Sequence, residues 1–183
     1  MTITVKSRHT RPESLTKRHP NATIVDVTSR GPEPWVRLSP FFPHGDIPVP
    51  FSPGEVGASV EGIWQGLKVF ETADVDREVM NNTKMKGIKR TVRKYGRVLG
   101  HRKGLSGDEL LAYADARRLI YLPIYKWMLE NHARDIVQEL REIASKGELV
   151  LLDYETNCDI DNLAKPLSHA GLVKAWLLDE WQT

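Results

Sequence analysis

Glu61, Gln65 and Lys68 stand four and three residues apart in the stretch GASVEGIWQGLKVF, residues 57–70. On a helix turning about 100° per residue they fall within about 60° of one another, so a carboxylate, an amide and an ammonium share one narrow stripe. Val60, Ile63, Trp64, Leu67 and Phe70 fill a broad apolar arc beside it, and Gly62 and Gly66 mark a third side where another backbone can approach closely. A helix packed on most of its circumference leaves such a stripe facing solvent or a cavity. A second group of acids follows the apolar run LVLL: Asp153 and Glu155, with Asn157, Asp159 and Asp161 close behind. Together with Glu61 they can supply the pair of carboxylates that glycosyl chemistry uses, one to stabilise or attack an oxocarbenium-like centre and one to manage protons. Acids after a strand also cap helices and close turns, and both readings stand.

Two further sets of side chains have chemistry to offer. Between Lys84 and Lys103 the chain carries nine Lys or Arg and no acid. Such a concentration of positive charge attracts phosphate, and equally makes a solvated basic face. Arg97, His101 and Arg102 are its candidates for gripping phosphates. Upstream, RGPEPWVRLSPFFPHGDIPVPFSPG holds seven prolines and three glycines together with Trp35, Phe41, Phe42 and Phe51. Proline forbids a regular helix there, yet water is a poor place for so many aromatic rings, so an ordered loop over the core is expected. Trp35, Phe41 and Phe42 then offer a surface for a nucleobase or for core packing.

The rest of the composition narrows the classes. A chain of 183 residues with a net charge of +2 can build one sizeable core, and a single domain over residues 22–183 is expected. Cys158 is the only cysteine, which excludes an internal disulfide and any multi-cysteine metal site. The six histidines show no zinc-type spacing, so no metal and no cofactor is expected. No P-loop, dinucleotide-binding glycine fingerprint or Ser-nucleophile elbow is present. The charged first residues lack the apolar stretch of a signal peptide, and no run reaches membrane-spanning length, so a soluble cytoplasmic protein with no membrane partner is expected.

The elements that must position these residues follow from local pattern. Residues 1–21, sparse in apolar side chains, read as a flexible arm. ATIVDVTS, 22–29, alternates like a strand. Ser59 is an N-cap for a helix over about 60–70. A basic helix is expected over about 75–95. Ser106 and Glu109 have capping-box spacing for a helix over 107–121, which Pro123 should break or kink. Helices around IYKWMLEN and ARDIVQELREIASK follow, the latter ending at Gly147. A buried strand over 148–154 and a last helix over 168–181, capped by Ser168, complete a helix-rich α+β fold with a small sheet surrounded by helices.

The order of these pieces resembles the NADAR superfamily, the YbiA-like N-glycosidases. The resemblance rests on Leu38, Ser39, Pro40 and Phe41 as the "LS-x-F" element; on Val60, Glu61, Gln65 and Lys68 as the "VE-x-x-x-Q-x-x-K" helix; on the basic run through Arg97; and on the pair Ala116 and Arg117. GELVLLDYETN stands where that family has its "LVE" strand. Pro40 replaces the usual Asn, and a longer segment replaces the family's "W-G" ending. The resemblance implies a YbiA-like fold and cleavage of an N-glycosidic bond on ribose. The implied substrates are ADP-ribose on a modified guanine base, free or in nucleic acid, or a phosphorylated ribosylamine. It gives Glu61 the stabilisation of positive charge at C1 or the orientation of the attacking water, Lys68 the ligand's oxygens or an amine attack on an opened sugar, and Gln65, with Ser39 and Asn157, contacts to the ligand. Asp153 or Glu155 would protonate the leaving base. A module that binds ADP-ribose or a nucleotide without cutting it, and a nucleic-acid-binding protein using the basic run, are the competing readings.

Overall fold

A computed structural model of the protein describes residues 1–181. In chain order the strands are β1 (Ile3–Ser7), β2 (Thr23–Asp26), β3 (Ile47–Pro48), β4 (Val56–Gly57), β5 (Lys68–Phe70), β6 (Val98–Arg102), β7 (Leu110–Leu111) and β8 (Leu149–Asp153). The helices are α1 (Pro12–Arg18), α2 (Val60–Gly66), α3 (Arg77–Met80), α4 (Val92–Tyr95), α5 (Tyr113–Ala116), α6 (Leu122–Asn131), α7 (Arg134–Lys146) and α8 (His169–Leu177). The class is α+β, with small sheets flanked by helices. The chain parts into two compact units, one of Met1–Ser39 with Ala133–Thr183 and one of Pro40–His132.

The first unit is built on β8. Leu149, Val150 and Leu151 have no exposed surface, and β1 and β2 flank the strand, both parallel to it. A central parallel strand covered on both faces is what a continuous apolar run encodes. The flexible arm expected over residues 1–21 is instead part of this sheet. Thr2 and Ser7 bracket a full ladder with β8, and Ile3 and Leu15 are buried. Five ladder positions and two buried side chains outweigh the segment's polarity. Helix α8 packs on β1 and β8, and α7 packs on α8. Ser168 caps α8 as expected, accepting from the Gly171 amide.

The second unit holds α2 against α3, the antiparallel sheet β5-β6-β7, the β3-β4 pair and the helical run from Tyr113 to Asn131. Gly62 and Gly66 do face a neighbouring backbone. A Cβ on Gly62 would stand 3.0 Å from the Met80 carbonyl, and one on Gly66 2.9 Å from the Asp76 carbonyl. Helix α2 stops at Gly66, so Lys68 opens β5 rather than continuing the helix. The basic helix expected over 75–95 is two single turns, α3 and α4, joined by a loop. Met85 and Gly87 adopt positive φ there, and Arg90 is drawn inward onto backbone carbonyls, which no continuous helix permits.

Ser106 does not start a helix either, because Leu110 and Leu111 pair with β6 first. Pro123 does not break the helical path. A π-helical turn at Arg117–Tyr121 precedes it, with the Leu122 amide reaching back five residues to the Arg117 carbonyl. That wider turn eases the proline into the start of α6, where its missing N–H costs little.

Candidate functional site

Helix α2 and strand β5 bring the three stripe residues together. Ser59 caps α2 through the Gly62 amide, and the Glu61 amide donates to the Pro40 carbonyl. Glu61 and Gln65 are 8% and 6% exposed and lie one turn apart. Gln65 Nε2 donates to Glu61 Oε1 at 2.9 Å, and Lys68 Nζ donates to Gln65 Oε1 at 3.3 Å. The tips therefore form one hydrogen-bonded chain, acid to amide to amine, out of bulk water. Gln65 Oε1 also accepts from the Arg90 amide at 3.1 Å. Both lone pairs of that oxygen are used, so Gln65 serves to hold its two neighbours rather than to offer a free amide.

Lys68 is half-buried, and burial lowers its pKa. Glu61 opposes that shift, while Arg90 and Lys89 add to it. The outcome is an ammonium that gives up its proton more readily than a solvated lysine.

His101 stands directly across the β5-β6 ladder from Lys68, which puts both side chains on one face of the sheet. Its ring stacks on the Trp64 indole, with centroids 3.7 Å apart and planes 28° from parallel. It is 1% exposed, and neither ring nitrogen has a hydrogen-bond partner among the described residues. Burial, helped by the charge of Lys68, pushes its pKa down to about 3. A ring that stays neutral brings no charge to a phosphate, only an N–H.

Around Trp64 stand Tyr113 and Tyr121, each edge-on to the indole. The Arg117 guanidinium lies over the Tyr113 ring and donates to its hydroxyl at 3.0 Å, although Arg117 is only 2% exposed. The π-helical turn begins at this residue. Tyr113 and Arg117 have the four-residue spacing of a helical pair, a signal the sequence does contain. Arg90 has no such signal, since nothing in a basic run singles out the one member that turns inward. Its guanidinium donates to the carbonyls of Gln65, Lys68 and Asp74 and lies over Phe70 and Tyr95.

The other expected site residues are placed differently. Arg102 is held bidentately by Asp74, at 2.6 and 3.3 Å, and also donates to the Asp108 carbonyl. Arg97 is exposed beside Glu71. Phe41 carries Lys89 over its ring, and Phe42 packs on His44. Trp35 and Ser39 belong to the first unit, at the start and C-cap of a 3-10 turn, Trp35 half-buried and Ser39 buried.

Asp153 also belongs to the first unit and is committed to its fold. Oδ2 accepts from Ser168 Oγ at 2.7 Å and the Ala170 amide at 3.2 Å, and lies 3.0 Å from His169 Nδ1. Oδ1 accepts from the Tyr154 amide. Burial works to raise its pKa, but His169, Ser168 and Ala170 outweigh it and hold the carboxyl below its usual range. A carboxylate so held is a poor proton donor to a leaving base, and its expected acid role is corrected accordingly. His169 Nε2 meets the Val27 carbonyl at 2.8 Å, so the pair fastens α8 to the ends of β2 and β8. Glu155 is exposed, and Asn157 braces its own loop through the carbonyls of Asn162 and Lys165.

Among the described residues no three His, Cys, Asp or Glu side chains group to hold a metal, and no helix is long and apolar enough to cross a membrane. Comparison with curated proteins gives no match. A family profile covers nearly the whole chain, residues 7–173, including both the Glu61 cluster and the Asp153 anchor. The chain belongs to that family, DUF6939, a family of unknown function.

Proposed function

We propose that the protein is an N-glycosidase that hydrolyses the bond between ribose C1 and a nitrogen, with ADP-ribose on a modified guanine base or a phosphorylated ribosylamine as substrate. The observation that carries this reading is the hydrogen-bonded chain Glu61–Gln65–Lys68, which sets a carboxylate and an amine of lowered pKa on either side of one amide. As the C–N bond breaks, electrons leave with the nitrogen and positive charge grows at C1. The Glu61 carboxylate faces that charge and then accepts a proton from the water that attacks C1. With Asp153 committed elsewhere, the proton for the departing nitrogen comes from the Lys68 ammonium, which burial makes a readier donor than a solvated lysine. Alternatively the free amine adds to C1 of an opened sugar and expels the nitrogen base, leaving a Schiff base that water hydrolyses, a route the same lowered pKa favours. Gln65 positions both groups.

The test is to incubate the protein separately with an ADP-ribosylated guanine oligonucleotide, NAD and ribosylamine phosphates, and to look for released sugar or base by mass spectrometry. Release by the wild type and none by Glu61→Gln is expected. Equal release by both removes Glu61 from the mechanism.

A second reading, nucleic-acid binding, is favoured by a different observation. Of the nine cations in the basic run, Arg90 is buried and Arg97, Arg102 and Lys103 lie beside Glu71, Asp74 and Glu109. Lys84, Lys86, Lys89, Arg93 and Lys94 are all exposed and have no carboxylate at ion-pair distance among the described residues. They are available to a phosphate backbone, whether the protein cuts its target or only binds it.

A further inference from the structure

His101 presents a problem of its own. Its ring is 1% exposed and both nitrogens lack a partner among the described residues, although each can make a hydrogen bond and an unmade one costs free energy when buried. Packing alone would be served as well by phenylalanine, which stacks on an indole without that cost. The imidazole also sits where the chemistry is. It pairs with Lys68 across the ladder, and its other face is given to Trp64, on the helix that carries Glu61 and Gln65. Gln65 has less to offer a ligand, because its amide oxygen is filled by Lys68 and Arg90 and one of its two N–H groups is given to Glu61.

We infer that His101 is a substrate-contacting residue, reading a sugar hydroxyl at the Glu61–Lys68 centre. This rests on the glycosidase reading and names the part of the substrate that the centre recognises. A neutral imidazole has one N–H and one lone pair, the complement of a hydroxyl, which likewise both donates and accepts. It offers no charge to a phosphate. Lys68, half-buried on a four-carbon stem beside the ring, exchanges its bond to Gln65 for the ligand's oxygens as the hydroxyl reaches the imidazole. The burial that keeps the ring neutral keeps it able to play both parts.

The experiment compares wild type, His101→Phe and His101→Gln on the substrate that the wild type cleaves. KM and kcat are measured together with thermal stability and the pH profile. His101→Phe is expected to be at least as stable as wild type while losing roughly tenfold or more in kcat/KM through KM. His101→Gln, which keeps a donor and an acceptor, recovers part of the loss. A titration of the protein labelled with ¹⁵N at histidine provides a readout that needs no variant to fold: adding ADP-ribose is expected to shift one neutral imidazole pair. A His101→Phe protein that cleaves as well as wild type, or a titration that moves no neutral ring, overturns the role of His101. A wild type that cleaves none of the ribosyl substrates overturns the glycosidase reading instead, and the role with it.

Discussion

A histidine held at a pKa of about 3 against 6.5 in a solvated chain ties folding to pH. As pH falls below about 6.5 the unfolded chain takes a proton that the folded chain refuses until about pH 3. The stabilisation is therefore complete above pH 6.5 and is lost on acidification at up to about 1.4 kcal/mol per pH unit. Urea unfolding of His101→Phe between neutral and mildly acidic pH should lack that slope, and an unchanged slope contradicts it. Asp153 acts in a lower window. Its folded pKa lies below 3.8, so its contribution is complete above that value and is lost as pH falls through the folded pKa. Asp153→Ala leaves His169, Ser168 and the Ala170 amide without their common acceptor, and should cost about 3 kcal/mol of stability by denaturant titration. A loss under about 1 kcal/mol would mean the anchor is dispensable. At this scale the sequence is legible where spacing determines contact. Glu61 and Gln65, four apart on α2, meet as expected. It is silent where partners lie far along the chain: an acid after a strand looks the same whether it faces a substrate or, as Asp153 does, the N-terminus of a helix that begins sixteen residues later at His169.

Helix α2 works because its glycine side admits α3. Gly62→Ala would press a methyl group to 3.0 Å from the Met80 carbonyl and 2.9 Å from the Ser59 hydroxyl that caps the helix. Backbone cannot yield as a side chain tip does, so about 1–3 kcal/mol of destabilisation is expected, measured as a fall in the urea midpoint. A neutral or stabilising result would show that α3 moves aside. The spacing of Gly62 and Gly66 makes this packing legible in the amino-acid sequence alone. Element boundaries are less so. Ser106 and Glu109 carry capping-box chemistry, yet the β-ladder of β7 with β6 takes the chain first, and only from Tyr113 does it turn helical. Tertiary pairing overrides a local cap. The π-helical turn before Pro123 has the same character. Proline signals a break, while the wider turn that absorbs it leaves no local mark, although it carries Arg117 into the aromatic cluster.

For the molecule as a whole, the sequence conveys the α+β class and the basic run, but not the division into two units or the return of the first residues to the sheet of β8. That strand pairing joins residues as far apart in the chain as Lys6 and Leu152 or Ile3 and Leu149, and no periodicity announces it. Charge at this scale is best tested with salt. If the five exposed cations between Lys84 and Lys94 hold a phosphate backbone, log affinity for a single-stranded oligonucleotide should fall linearly with log salt, with a slope of about −0.7 per phosphate neutralised. Replacing Lys84, Lys86 and Lys89 by Ala should make that slope shallower, and an affinity indifferent to salt argues against the surface. The proposed glycosidase activity turns on Glu61, held by Gln65 beside Lys68, which that proposal sets facing a breaking glycosidic bond. The decisive quantity is the base released from an ADP-ribosylated guanine oligonucleotide by wild type and by Glu61→Gln, with circular dichroism establishing that both are folded. Release by wild type is expected, with a loss of about 10²–10³-fold in the folded variant. Equal release by the two proteins would refute the assignment.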